Sequence, residues 1–245
     1  MNDWLDRFVP FTAFHLVTVA VFGGSIAAAC WLGRSWKETP REARFRRTWG
    51  WVVLAYQAWY TVWYLLPWNF TWEKSLPLQL CDLAAFVAGL AMVTRWRPWR
   101  TLLYFWGIGL STQAFFTPII QTGLASKHFW MFWIGHTMIV GSAVYDVIVC
   151  GYRPRARDLG FAFTTSLIYC LSMFYLDVLL TEELGRPISY AFMGPSAPDN
   201  PTIIDRLGPW PRRGAALMAI ASLDYLLLWL VWPITGRLFG AASRD

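Results

Sequence analysis

A thiol at Cys81 and an imidazole at His136 are the side chains of this chain that lend themselves to nucleophilic chemistry. Cys81 follows Leu76-Pro77-Leu78-Gln79-Leu80, one turn after a proline suited to a helix start. A helix N-terminus, like a neighbouring imidazolium, favours the thiolate, which is the reactive form of cysteine. His136 would serve as the base. A Cys–His pair of this kind supports a covalent acyl-enzyme, in which the base first relieves the thiol of its proton and then activates the acceptor. Supporting or substrate-binding roles fall to His15, Gln79, Asp82, Gln113 and Asp177. Asp82 is turned about 100° from Cys81 on a helix, so it does not orient the thiol directly. Asp177 or Gln113 would orient His136 or hold an oxyanion, and His15 reads equally as a site residue or a structural hydrogen bonder. His128, beside Lys127, is expected among lipid headgroups. No HxxxH or HxxE spacing, nucleophile-elbow serine, phosphate-binding loop or dinucleotide glycine pattern occurs, so neither a metal nor a cofactor is implied. Cys30, Cys150 and Cys170 lack CxxC spacing and read as small hydrophobes.

The elements that must position these groups are set by composition. Of the 245 residues 56% are apolar and only 15% charged, with 17 tryptophans. Soluble domains carry about 25% charged residues, and indole rings favour the headgroup zone. An all-α, polytopic membrane bundle follows. Seven stretches are long and apolar enough to cross a bilayer: 11–32, 48–67, 76–94, 101–120, 128–150, 159–180 and 213–236. They form one transmembrane domain over 1–245, without internal repeats. Residues 1–10 lack a basic leader, so the first stretch is expected to be a retained helix. The net charge of +6 is dispersed between apolar stretches rather than gathered on one face, which argues for a membrane and against nucleic acid as partner.

Fourteen basic residues fall in one set of loops, six of them in the 34–47 loop, and seven in the other. The positive-inside tendency therefore puts the N-terminus outside and the C-terminus in the cytoplasm. In that frame His15, Gln79, Cys81, Asp82, Gln113, His136, Asp177 and Asp224 gather in the extracytoplasmic half. His136 lies about 12 Å down. The inner half holds chiefly Asp146. Intramembrane ionisable groups mark functional sites by default, although interhelical hydrogen bonding accounts for part of such a set. The longest connection, 181–212, is rich in Pro and Gly and carries Ile188, Tyr190, Phe192, Met193, Ile203 and Ile204. It reads either as a lid or as a plain surface linker.

The run Leu76-Pro77-Leu78-Gln79-Leu80-Cys81-Asp82 resembles the LPLxLC signature of YwaF-type bacterial membrane proteins, which are similar to the transmembrane protein 164 family of acyltransferases. Leu103-Tyr104-Phe105-Trp106-Gly107, Gln113 with Thr117-Pro118, His136, Gly151-Tyr152-Arg153-Pro154 and Leu207-Gly208-Pro209-Trp210-Pro211 match in the same order. The resemblance implies a multi-pass lipid acyltransferase of a bacterial cell membrane, with Cys81 as nucleophile and His136 as partner. It also implies a distant likeness to androgen-induced-gene type hydrolases, where Thr and His act on fatty esters. Gln79 departs from the His expected there. A phospholipid or lysophospholipid is the expected partner. The competing expectations are a hydrolase using the same site, a transporter or channel with a polar outward cavity, and a scaffold.

Overall fold

Prolines and small polar caps fix where the helices begin. The structure, a computed structural model, describes residues 4–195 and 203–241; Pro198 and Pro201 of the 181–212 connection, and Arg244 of the fourteen basic residues, lie outside the described residues. Helix α1 (Ala13–Ser35) opens on Thr12, whose hydroxyl accepts the His15 N–H, and carries Arg34 in its last turn, where a cation suits the helix dipole. Helix α2 (Pro40–Leu65) has Pro40 in its first turn and ends before Pro67. Then come α3 (Leu80–Thr94), α4 (Arg97–Leu102), α5 (Gln113–Phe116), α6 (Lys127–Ile148), α7 (Ala156–Leu184) and α8 (Arg212–Ala241). The α7 N-terminus is closed by Asp158, whose carboxylate accepts the Arg155 N–H at 2.6 Å, and its C-terminus by left-handed Gly185.

Each of the seven expected stretches is helical or largely so, and the fold is all-α. Among the described residues the only β-type pairing is an isolated bridge between Arg7 and Thr122. Among the described residues four helices are long and apolar enough to cross a membrane: α1, α6, α7 and Arg212–Pro233 of α8. Two expected details need correction. Most of the 34–47 loop is helix, because Thr39 and Pro40 start α2 two turns earlier than expected. The 101–120 stretch is not one regular span. After α4 it winds as a π-helix over Leu103–Leu110, and it ends in the short α5.

The chain forms two compact units. One comprises Met1–Phe70 with Cys81–Tyr152, the other Thr71–Leu80 with Arg153–Asp245. In the first, α1 packs on α6 around Phe8, Phe14, Phe115, Phe129, Trp133 and Val140. Helices α2 and α3 cross where Gly50 meets Gly89: a Cβ on Gly50 would stand 2.9 Å from the Gly89 carbonyl. Small residues permit such close backbone approach where apolar burial gives helices no driving force in lipid. In the second unit α7 packs on α8, joined by Ser166 and Tyr225 hydroxyls 2.9 Å apart.

Candidate active site

The first unit holds the thiol and the imidazole. Cys81 occupies the first turn of α3 and is partly accessible. Ser111 approaches it: its buried hydroxyl makes no well-aligned hydrogen bond and lies within interaction range of the sulfur. The π-helix places this serine. The Ser111 N–H donates to the Trp106 carbonyl, five residues back, at 2.8 Å. Within that winding Gly107 sits against Ala143, to whose Cβ an added methyl would come within 2.8 Å. Single π turns recur at functional sites.

His136 is fixed by its own helix. Its Nδ1 lies 2.8 Å from the Phe132 carbonyl oxygen, and the two rings pack 4.3 Å apart. A carbonyl can only accept, so Nδ1 carries the proton of the neutral ring and Nε2 presents a lone pair. His136, Ile139 and Ala143 are spaced along one face of α6, and that face meets the π-helix at Gly107. No hydrogen bond joins Cys81 to His136.

Asp82 neighbours Cys81 and, across from it, Tyr60 and Tyr64 of α2. The two tyrosine rings are 4.9 Å apart, and the Tyr64 hydroxyl lies 3.2 Å from His128 Nδ1. A file of polar groups therefore runs from Asp82 to exposed His128. Sequence reasoning missed both tyrosines, and it missed Ser111 and the Phe132 carbonyl. Ser111 had a signal in the polar pair Ser111-Thr112 that interrupts an apolar run; the carbonyl had none, being backbone.

The remaining candidates have other surroundings. His15 is buried with both ring nitrogens engaged: Nδ1 accepts the Phe11 N–H at 3.0 Å, and Nε2 lies 3.0 Å from the Phe115 carbonyl. It ties the N-terminal segment and α1 to α5. Gln113 is exposed at the start of α5. Gln79 and Asp177 belong to the second unit, where both hold the 181–212 connection. Gln79 Oε1 accepts the Ala191 N–H at 3.0 Å, and Asp177 Oδ1 accepts the Tyr190 N–H at 2.9 Å. Ala191 and Phe192 both have left-handed φ, 50° and 61°, a conformation costly for non-glycine residues unless the surroundings enforce it. Ile188, Tyr190 and Met193 are buried, and the Trp210 indole donates to the Met193 carbonyl at 2.8 Å. The described part of this connection is thus a packed loop rather than a plain linker.

The other end of the first unit is richer than its sequence indicated. Arg100 Nε donates to both Asp146 oxygens, at 3.0 and 2.8 Å. Buried Arg46 stands 3.3 Å from Glu42 Oε1 and donates to the Met92 carbonyl. The Tyr145 hydroxyl and the Cys150 thiol both reach Glu42 Oε1, at 3.3 and 3.6 Å.

An all-helical chain with several membrane-length helices and a thiol and an imidazole within one helical unit is a multi-pass membrane protein consistent with enzymatic function. The model of the TMEM164 family matches residues 10–232, and the chain belongs to that family. Comparison with curated proteins and with solved structures finds no match.

Proposed function

We propose that the protein is a membrane-embedded lipid acyltransferase with Cys81 as nucleophile and His136 as base. The observation that carries the reading is the His136 ring, held by Phe132 so that Nε2 offers its lone pair, in a family member whose thiol stands at a helix start beside the buried Ser111 hydroxyl. A thiol in apolar surroundings attacks effectively when a base removes its proton in the same step. His136 Nε2 takes the Cys81 proton as sulfur bonds to the ester carbonyl carbon of a phospholipid. The tetrahedral intermediate then expels the lysolipid alkoxide, which receives that proton from His136. An acceptor hydroxyl, deprotonated by the same nitrogen, attacks the thioester and releases the thiol. Ser111 is suited to donate to the oxyanion in both halves.

The acyl donor and acceptor are a phospholipid and a lysophospholipid. The N-terminus lies outside and the C-terminus in the cytoplasm of a bacterial cell membrane, with the site toward the extracytoplasmic leaflet. Gln79 acts as a loop holder at a position where the resemblance leads one to expect His.

Intact mass analysis of the full chain after incubation with phospholipid vesicles tests the mechanism. A thioester adduct is expected on the wild type and none on Cys81→Ala. An adduct that persists in the variant removes Cys81 from the nucleophile's role. Turnover with water rather than lysolipid as acceptor would make the same site a hydrolase.

A further inference from the structure

Independently of the catalytic reading, we infer that α2 carries a binding site for one anionic phospholipid on its outer face. Pro40, Ala43, Arg44, Arg47, Thr48 and Trp51 share one open, shallow surface along the first three turns of this helix. Arg44 and Arg47 are exposed, and among the described residues neither has an acidic partner. Their neighbour Arg46 differs: it is buried and tied to Glu42 and to the Met92 carbonyl. Glu42, the acidic group closest in sequence, faces Arg46, Tyr145 and Cys150. This face thus offers two guanidinium groups and a threonine hydroxyl with no carboxylate among its residues.

What continues along this face is apolar. Trp51 is 59% exposed and Val62 58%, and with exposed Ala55 and Ala58 they form one stripe at helical spacing. A helix face that begins with paired guanidinium groups and continues as an apolar stripe matches a phosphodiester followed by an acyl chain. Guanidinium forks bind phosphate oxygens bidentately, and indoles lie at the glycerol level. The depth is right as well. Helix α1 spans the membrane and turns at Trp36–Thr39 into α2, so Arg44 and Arg47 lie about 6 to 10 Å along α2 from that turn. Two cations facing one phosphate, without a carboxylate to receive a choline or ethanolamine nitrogen, select a lipid with net negative charge over a zwitterion.

Native mass spectrometry of the full chain in detergent, titrated with phosphatidylglycerol or phosphatidylcholine, tests the site. One tightly held phosphatidylglycerol is expected, with phosphatidylcholine bound at least several-fold more weakly. Arg44→Gln/Arg47→Gln should weaken phosphatidylglycerol binding by about tenfold or more. Lys37→Gln/Arg41→Gln removes the same charge at the same end of the helix and should change it less than about twofold. Equal losses in the two double variants would mean a diffuse field and overturn the proposal. Displacement by millimolar glycerol phosphate would also overturn it, because the apolar track would then contribute nothing. If the Arg44/Arg47 double variant does not stay monodisperse, the two single variants decide: each should lose about threefold, and no loss in either refutes the site.

Discussion

The two polar ends of the first unit are built on opposite plans. His136 and Asp146 share α6, ten residues or about 15 Å apart. At the Asp146 end the charges are matched: Arg100 with Asp146, Arg46 with Glu42, and the Tyr145 hydroxyl and Cys150 thiol on the same carboxylate. At the His136 end the imidazole, the serine and the thiol are not tied to a counter-charge: an Nε2 lone pair, a serine hydroxyl without a well-aligned partner, and a thiol with the Asp82 carboxylate as neighbour. A closed network consumes its hydrogen-bonding capacity and holds helices together. An open one keeps that capacity for something that arrives.

The contrast breaks most visibly at Cys81. Cys81→Ala should abolish adduct formation and acyl transfer while leaving the melting temperature within a few degrees of wild type, read by intact mass and thermal denaturation in detergent. His136→Gln should keep the fold and lower turnover by about 10² to 10⁴, the usual worth of a general base. At the closed end the pattern reverses. Asp146→Asn strands Arg100 without its counter-charge and should cost about 3 kcal/mol or more in unfolding experiments, with adduct yield per folded molecule nearly unchanged. Ser111→Ala should lower turnover by about tenfold, as for one weak oxyanion contact, with little effect on stability.

The smallest effect concerns Cys150, in the turn after α6. Burial, followed by the Asp146 and Glu42 carboxylates, pushes its thiol up from 9.0 to about 12. A folded value above the unfolded one means a contribution fully present below pH 9 and lost as pH rises toward 12. The thermal stability of Cys150→Ser should therefore fall less steeply than wild type over that window. An identical slope would show that Cys150 does not carry it.

The spans were legible in the sequence because lipid imposes length and apolarity on every crossing, whereas the polar first turns of α2 after Pro40 carried no apolar signal. Cys81 and His136 were legible as residue types in apolar runs. Their surroundings were not. Ser111 reaches the thiol through backbone winding that no local propensity announces, and Phe132 acts through its carbonyl. The closed end was under-read because basic residues near a span's end look like a topology signal. Arg46 is spaced from Glu42 by four residues on a helix that the apolar pattern starts only at 48, so the pairing was hidden by a misplaced helix start. His15 shows the opposite case, a conspicuous imidazole satisfied by two backbone groups.

The π-winding between Leu103 and Leu110 sets a phase for everything that follows it. Each residue added to or removed from a helix turns the downstream chain by about 100°. Were these residues to rewind as ordinary α-helix, Ser111 would swing off the sulfur although no side chain had changed. The identity of the hydroxyl and the pitch of the backbone beneath it are separate requirements. A relative could keep the serine yet lose its use through a one-residue deletion upstream.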